Sequence, residues 1–116
     1  MSRRIERVNE QIKEEIAALV QREMQDPRLR GLISITGVTT SPDLHYATVR
    51  VSVLGSEEDV QQVMTALRHA AGFLRREIAS RLRLKHAPEL SFKLDTSMEQ
   101  GARVLELLRE IQKGER

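Results

Sequence analysis

Between residues 3 and 24, Ile5, Val8, Ile12, Ile16, Leu19 and Val20 recur at steps of three and four, the spacing of one buried helical stripe. Asp26-Pro27 ends that helix, because a residue before proline is pushed out of the α region. From Leu32 to Leu54 the period becomes two. Ile33 and Ile35, then Ala47, Val49, Val51 and Val53, alternate with polar neighbours, which predicts two strands. The intervening "TTSPDLH" has proline and aspartate in turn positions, so the strands should pair as an antiparallel hairpin. Gly37 breaks the alternation, and a bulge is expected there.

Ser56 followed by Glu57, Glu58 and Asp59 is a helix start: a capping hydroxyl, then acids at the positive end of the helix dipole. The stripe that follows, Val60, Val63, Met64, Leu67, Ala71, Leu74, Ile78 and Leu82, passes through Gly72 without a slip. Periodicity therefore predicts one long helix, in which Gly72 costs roughly 1 kcal/mol relative to alanine. Pro88 closes it, and Leu90, Phe92 and Leu94 alternate with polar residues as a third strand. Thr96 with Glu99, or Ser97 with Gln100, offers a capping box for a last helix carrying Val104, Leu105, Leu108 and Ile111. Residues 112–116 are expected to fray. The order helix, strand, strand, long helix, strand, helix predicts a two-layer α+β sandwich, a three-stranded sheet covered by amphipathic helices.

At 116 residues the chain is expected to be a single domain over 1–116. It has no cysteine, which removes disulfides, thiolate metal sites and a cysteine nucleophile. No apolar run approaches the roughly 20 residues that span a bilayer, and the charged start lacks the centre of a signal peptide. A cytoplasmic protein is the expectation. No nucleophile elbow, phosphate loop or dinucleotide fingerprint occurs. His45, His69 and His86 lack metal-ligand spacing and read as surface histidines. Neither enzyme, metal nor cofactor is expected.

Net charge is only +2, so the placement of charge matters more than its sum. Residues 68–86 carry Arg68, Arg75, Arg76, Arg81, Arg83 and Lys85 against Glu77 alone. Arg81, Arg83, Lys85 and His86 fall in the last turn of the long helix, where cations are favoured by its dipole, which suffices for those four. It does not account for Arg68, Arg75 and Arg76, in mid-helix. At about 100° per residue, Arg68, Gly72, Arg76 and Arg83 fall on the side away from Leu74, and Arg81 falls nearer the core. A glycine on a cationic outward stripe lets a phosphate backbone approach closely; its alternative use is to relieve crowding against a neighbouring element. Arg3, Arg4 and Arg7 crowd a helix start where the dipole disfavours them, and a polyanionic partner would account for them too. With Tyr46 exposed and Phe92 buried by phase, the sheet offers few aromatics for base stacking, which favours recognition of RNA backbone and shape.

The segments "QREMQDPRL", "ITGVTTSPDLHYATVRVSVLG", "AAGFLRREIASRLRLKHAPELSFKLDTS" and "GARVLELL" resemble, in order and spacing, the bacterial ribosome-binding factor A family. The resemblance implies a type II KH-like fold with an Ala-x-Gly helix kink, matched here by Ala70-Ala71-Gly72. It further implies binding to the free small (30S) ribosomal subunit and 16S rRNA, and support for late subunit maturation, for 5′-end processing of precursor 16S rRNA and for growth in the cold. A functional link to a maturation GTPase and a monomeric state go with it. The RNA-contact residues expected on this basis are Arg68, Ala70, Gly72, Arg75, Arg76, Arg81, Arg83 and Lys85, with Arg3, Arg4 and Arg7 in addition. Two other readings remain: a general KH-like module for single-stranded RNA, and a protein-interaction module.

Overall fold

The computed structural model describes residues 3–22, 26, 28 and 32–114. Helix α1 spans Arg3–Arg22 and buries Ile12, Ile16, Leu19 and Val20, the predicted stripe. It stops short of Asp26-Pro27; Pro27 lies outside the described residues, while Asp26 accepts from Arg28, which holds its carboxyl at about 2.

Strands β1 (Leu32–Thr40) and β2 (Tyr46–Leu54) pair antiparallel, as the turn sequence requires. Their register shifts between Ile35 and Gly37, so the expected bulge is present. It also changes which positions face inward: Ile35 is buried before it, Val38 and Thr40 after it. The hydroxyl of Thr40 meets the requirement of a buried polar group by donating to Asn9 Oδ1 at 2.6 Å. Strand β3 (Glu89–Leu94) lies parallel to β2 on its other side, giving the order β1-β2-β3. A parallel neighbour demands a crossover rather than a tight turn, and the helices between β2 and β3 are that crossover.

The crossover is two helices, not the single one that periodicity predicts. Helix α2 (Glu57–His69) starts at the Ser56 capping box with Asp59, and helix α3 (Ala71–Arg81) follows after Ala70. Ala70 has φ −87° and ψ −1°, a bridge conformation; it donates to Ala66 O and accepts from Leu74 N–H. The break leaves the apolar phase intact because Leu67 and Leu74, seven residues apart, are both fully buried. A kink that preserves core contacts on both sides is invisible to a pattern of core contacts.

Helix α3 ends at Arg81, so Arg83, Lys85 and His86 lie beyond it and only Arg81 has the last-turn placement expected for all four. Leu84 N–H donates to Ala79 O at 2.9 Å and Arg83 N–H to Ser80 O at 3.3 Å, the paired bonds of a Schellman motif.

Helices α1, α2 and α3 cover one face of the sheet, with a core of Val49, Val51, Val63, Leu67, Leu74 and Ile78 among others. Helix α4 (Ser97–Gly114) turns no described residue from Gln100 to Gly114 into the core: every one of them is exposed, Val104, Leu105, Leu108 and Ile111 included. Its start is tied down by Asp95, which accepts from Ser97 N–H and from the Thr36 hydroxyl, and by Thr96, whose Oγ1 accepts from Gln100 Nε2. Glu115 and Arg116 lie outside the described residues. Among the described residues no helix is long and apolar enough to cross a membrane.

Candidate nucleic-acid interface

The full burial of Leu74 and Ile78 fixes the rotation of α3, and the opposite face is thereby turned outward. Arg68, at the end of α2, and Gly72 and Arg76 on α3 are all exposed there. Among the described residues neither Arg68 nor Arg76 makes a side-chain hydrogen bond or ion pair, so neither cation contributes to holding the fold. Ala70, half-buried, supplies the break beneath this stripe. The amides of Ala71, Gly72 and Phe73 precede the first backbone bond of α3, and no side chain caps them.

Gly72 is not there to relieve crowding. A Cβ at that position would meet only Arg76 Nη1, at 3.6 Å, which is ordinary contact, and its φ is not positive. The fold would accept alanine. What the glycine does keep is an open surface between two unpaired cations, above a helix start.

The other predicted cations divide by what they touch. Arg75 is half-buried, and its guanidinium donates to Pro88 O at 3.1 Å and Ala87 O at 3.2 Å, so it clamps the segment leading into β3. Arg81 is exposed rather than turned to the core, and it pairs with Glu15 at 3.4 Å and with Glu77 at 3.6 Å, joining α3 to α1. Both have structural work that the charge count could not reveal. Arg3 and Arg7 are exposed on the first turns of α1.

Arg4, by contrast, is brought to Arg83 and Lys85. The three line a groove of about 550 Å³ between the start of α1, the β1–β2 turn and the α3–β3 connection. Arg83 and Lys85 have no side-chain partner among the described residues. The groove also contains His45 and His86, whose rings lie 5.1 Å apart and tilted by 37°. Sequence reasoning set both histidines aside because neither has a chemical partner near it in the chain; they meet only through the fold. Among the described residues Asp43 is the one carboxylate lining the groove, and its charge is already used: the Ser41 hydroxyl donates to it at 2.6 Å and His45 N–H at 3.0 Å, which hold its carboxyl below the usual range.

The described residues gather no group of three or more His, Asp or Glu suited to a metal ion. The arrangement offers unpaired cations, open helix amides and a histidine-lined groove, which is equipment for binding an anionic polymer.

Comparison with known proteins gives a consistent assignment. The family model described as Ribosome-binding factor A matches residues 4–108. The ribosome-binding factor A of Acetivibrio thermocellus is 51% identical over 107 residues, covering 92% of this chain and 87% of the relative. That of Desulforamulus reducens is 48% identical over 111 residues, covering 96% and 92%. The crystal structure of ribosome-binding factor A from Thermus thermophilus superposes with a TM-score of 0.68 at 29% identity, over 78% of this chain and 93% of that one. A homology model of the Thermus thermophilus protein, fitted into a cryo-EM map of a complex with the 30S subunit, matches with a TM-score of 0.60 at 27% identity, over 84% and 97%. The interrupted helix at Ala70, which periodicity missed, is the break that the family resemblance implied, and the chain is a member of the ribosome-binding factor A family.

Proposed function

We propose that this protein is a ribosome assembly factor that binds the free small subunit through 16S rRNA and catalyses no reaction itself. In this reading it acts as a monomer in the cytoplasm. It supports late subunit maturation, including 5′-end processing of precursor 16S rRNA and growth in the cold, and is released with help from a maturation GTPase. Family membership and the 30S complex of the Thermus relative support the partner. The observation that carries the binding mode is the stripe of Arg68, Gly72 and Arg76, where two unpaired cations flank a glycine that packing does not require. Phosphate contacts supply most of the affinity, and the shape of the folded RNA supplies selectivity.

Co-sedimentation with separated small and large subunits at low and moderate salt tests this. Binding confined to the small subunit and weakening steeply with salt is expected; equal binding to both subunits would reduce the protein to a generic basic RNA binder. The exposed apolar stripe of α4 favours a second reading, a protein-interaction module, which predicts self-association in sedimentation and no salt-sensitive RNA binding.

A further inference from the structure

The groove between the start of α1, the β1–β2 turn and the α3–β3 connection is separate in composition from the outward stripe of α2 and α3. Among the described residues, only two that are not glycine have positive φ: Leu44 at 62° and Arg83 at 53°. Both line this groove. Left-handed backbone is disfavoured for residues with a Cβ, and it collects where a surface is shaped for a ligand. At Arg83 the point is sharper, because that residue occupies the Schellman position that glycine usually fills.

The groove's walls are also held in place. His45 O accepts from Glu89 N–H at 2.8 Å, which ties the β1–β2 turn to the start of β3. Arg75 grips the carbonyls of Ala87 and Pro88 on the other side of His86. The Asp43 carboxylate fixes the backbone of His45. Two imidazoles are thus presented side by side, and among the described residues no side chain or backbone group bonds to their ring nitrogens. Arg4, Arg83 and Lys85 stand around them. The volume of about 550 Å³ falls in the range of clefts that hold small organic ligands, roughly 300–1,000 Å³.

We infer that this groove takes one unpaired nucleotide of the bound RNA, its base stacked against the His45–His86 pair and its phosphate held by Arg83 and Lys85. The inference rests on the RNA-binding reading above and adds a second contact to it. Histidine rings are among the side chains on which splayed-out RNA bases stack, so the two rings supply, through the fold, the stacking surface that the sheet lacks. Arg75 is a positioning residue here: it sets the segment that carries His86 and does not itself meet the ligand.

The test is a titration of the isotopically labelled full chain with a single-stranded hexaribonucleotide, followed by NMR. Binding should shift the amides of Leu44, His45, Arg83, Lys85 and His86. The double variant H45A/H86A, whose Tm should match the parent because both rings are exposed, should lose at least about fivefold in affinity, the lower end for one base stack. A hexamer with an abasic site at the stacked position should bind parent and double variant alike. Inorganic phosphate is the second probe. If it shifts the same amides as strongly and the double variant binds the hexamer undiminished, the groove is an anion site and the nucleotide inference fails. If the parent binds neither the hexamer nor the small subunit, the RNA reading itself fails; if it binds both and the groove amides do not move, only this inference does.

Discussion

The two ends of α3 invert the usual use of glycine and arginine. At the amino end, Gly72 has an ordinary φ and open space around its missing Cβ, so an alanine would fit and would strengthen the helix. At the carboxyl end, Arg83 has φ 53° at the Schellman position where glycine would be easier by about 1 kcal/mol. Each residue is the less stable choice for its place. What the two positions share is exposure beside cations with no partner among the described residues. The difference between them separates two ways in which a surface proposed to bind RNA departs from the local optimum: by removing a side chain so that a backbone can approach, and by keeping a charged one in spite of its backbone.

The largest effect should come from the stripe itself. R68E/R76E should weaken small-subunit binding on the order of 100-fold, since each charge-assisted contact is worth about 1.5 kcal/mol or more. Circular dichroism should be unchanged, because neither side chain holds the fold; a retained affinity in co-sedimentation would remove the amino end of α3 from the interface. Next, R75A should cost about 1–2 kcal/mol of stability in urea unfolding, by releasing the carbonyls of Ala87 and Pro88. Its subunit affinity should fall only modestly, which distinguishes a clamp from a phosphate contact. G72A should raise stability by about 0.5–1 kcal/mol and weaken binding. A stabilised variant with full affinity would mean that nothing approaches Gly72.

The smallest effect is expected at the anchoring of α4. The Thr36 hydroxyl, followed by Ser97, holds the Asp95 carboxyl down from 3.8 to about 2. Its folded pKa is depressed, so the stabilisation is complete above the ordinary carboxylate value and is lost as the pH falls toward 2. T36V should therefore narrow the stability gap to the parent over that window, as Tm against pH would record. A gap independent of pH would show that Thr36 acts through packing alone.

Much of the fold was legible because core-facing positions are periodic. The stripe of α1, the hairpin, the Ser56 cap and the third strand all follow from spacing and turn chemistry. The kink escaped because Leu67 and Leu74 stay in the core on both sides of Ala70, so a pattern built from core residues has nothing to register. The end of α3 escaped because Arg83 replaces the glycine that would have signalled it. For α4 the stripe was read correctly as amphipathic, but amphipathicity states that a face wants cover and not that the same chain supplies it. The candidate site was half legible. Charge and phase placed Arg68, Gly72 and Arg76 on one outward face, yet they could not separate free cations from Arg75 and Arg81, whose partners Ala87, Pro88 and Glu15 lie 12 to 66 residues away. The meeting of His45 with His86, 41 positions apart in the chain, is set by strand pairing and leaves no local trace.

On the proposed RNA-binding reading, the residues at both ends of α3 are chosen by a partner against local stability. The most direct test is one double variant, G72A/R83G, measured for thermal stability and for small-subunit affinity as a function of salt. The expected result is a higher Tm than the parent together with weaker binding and a salt slope reduced by about one phosphate contact. A higher Tm with affinity and salt slope unchanged would contradict it.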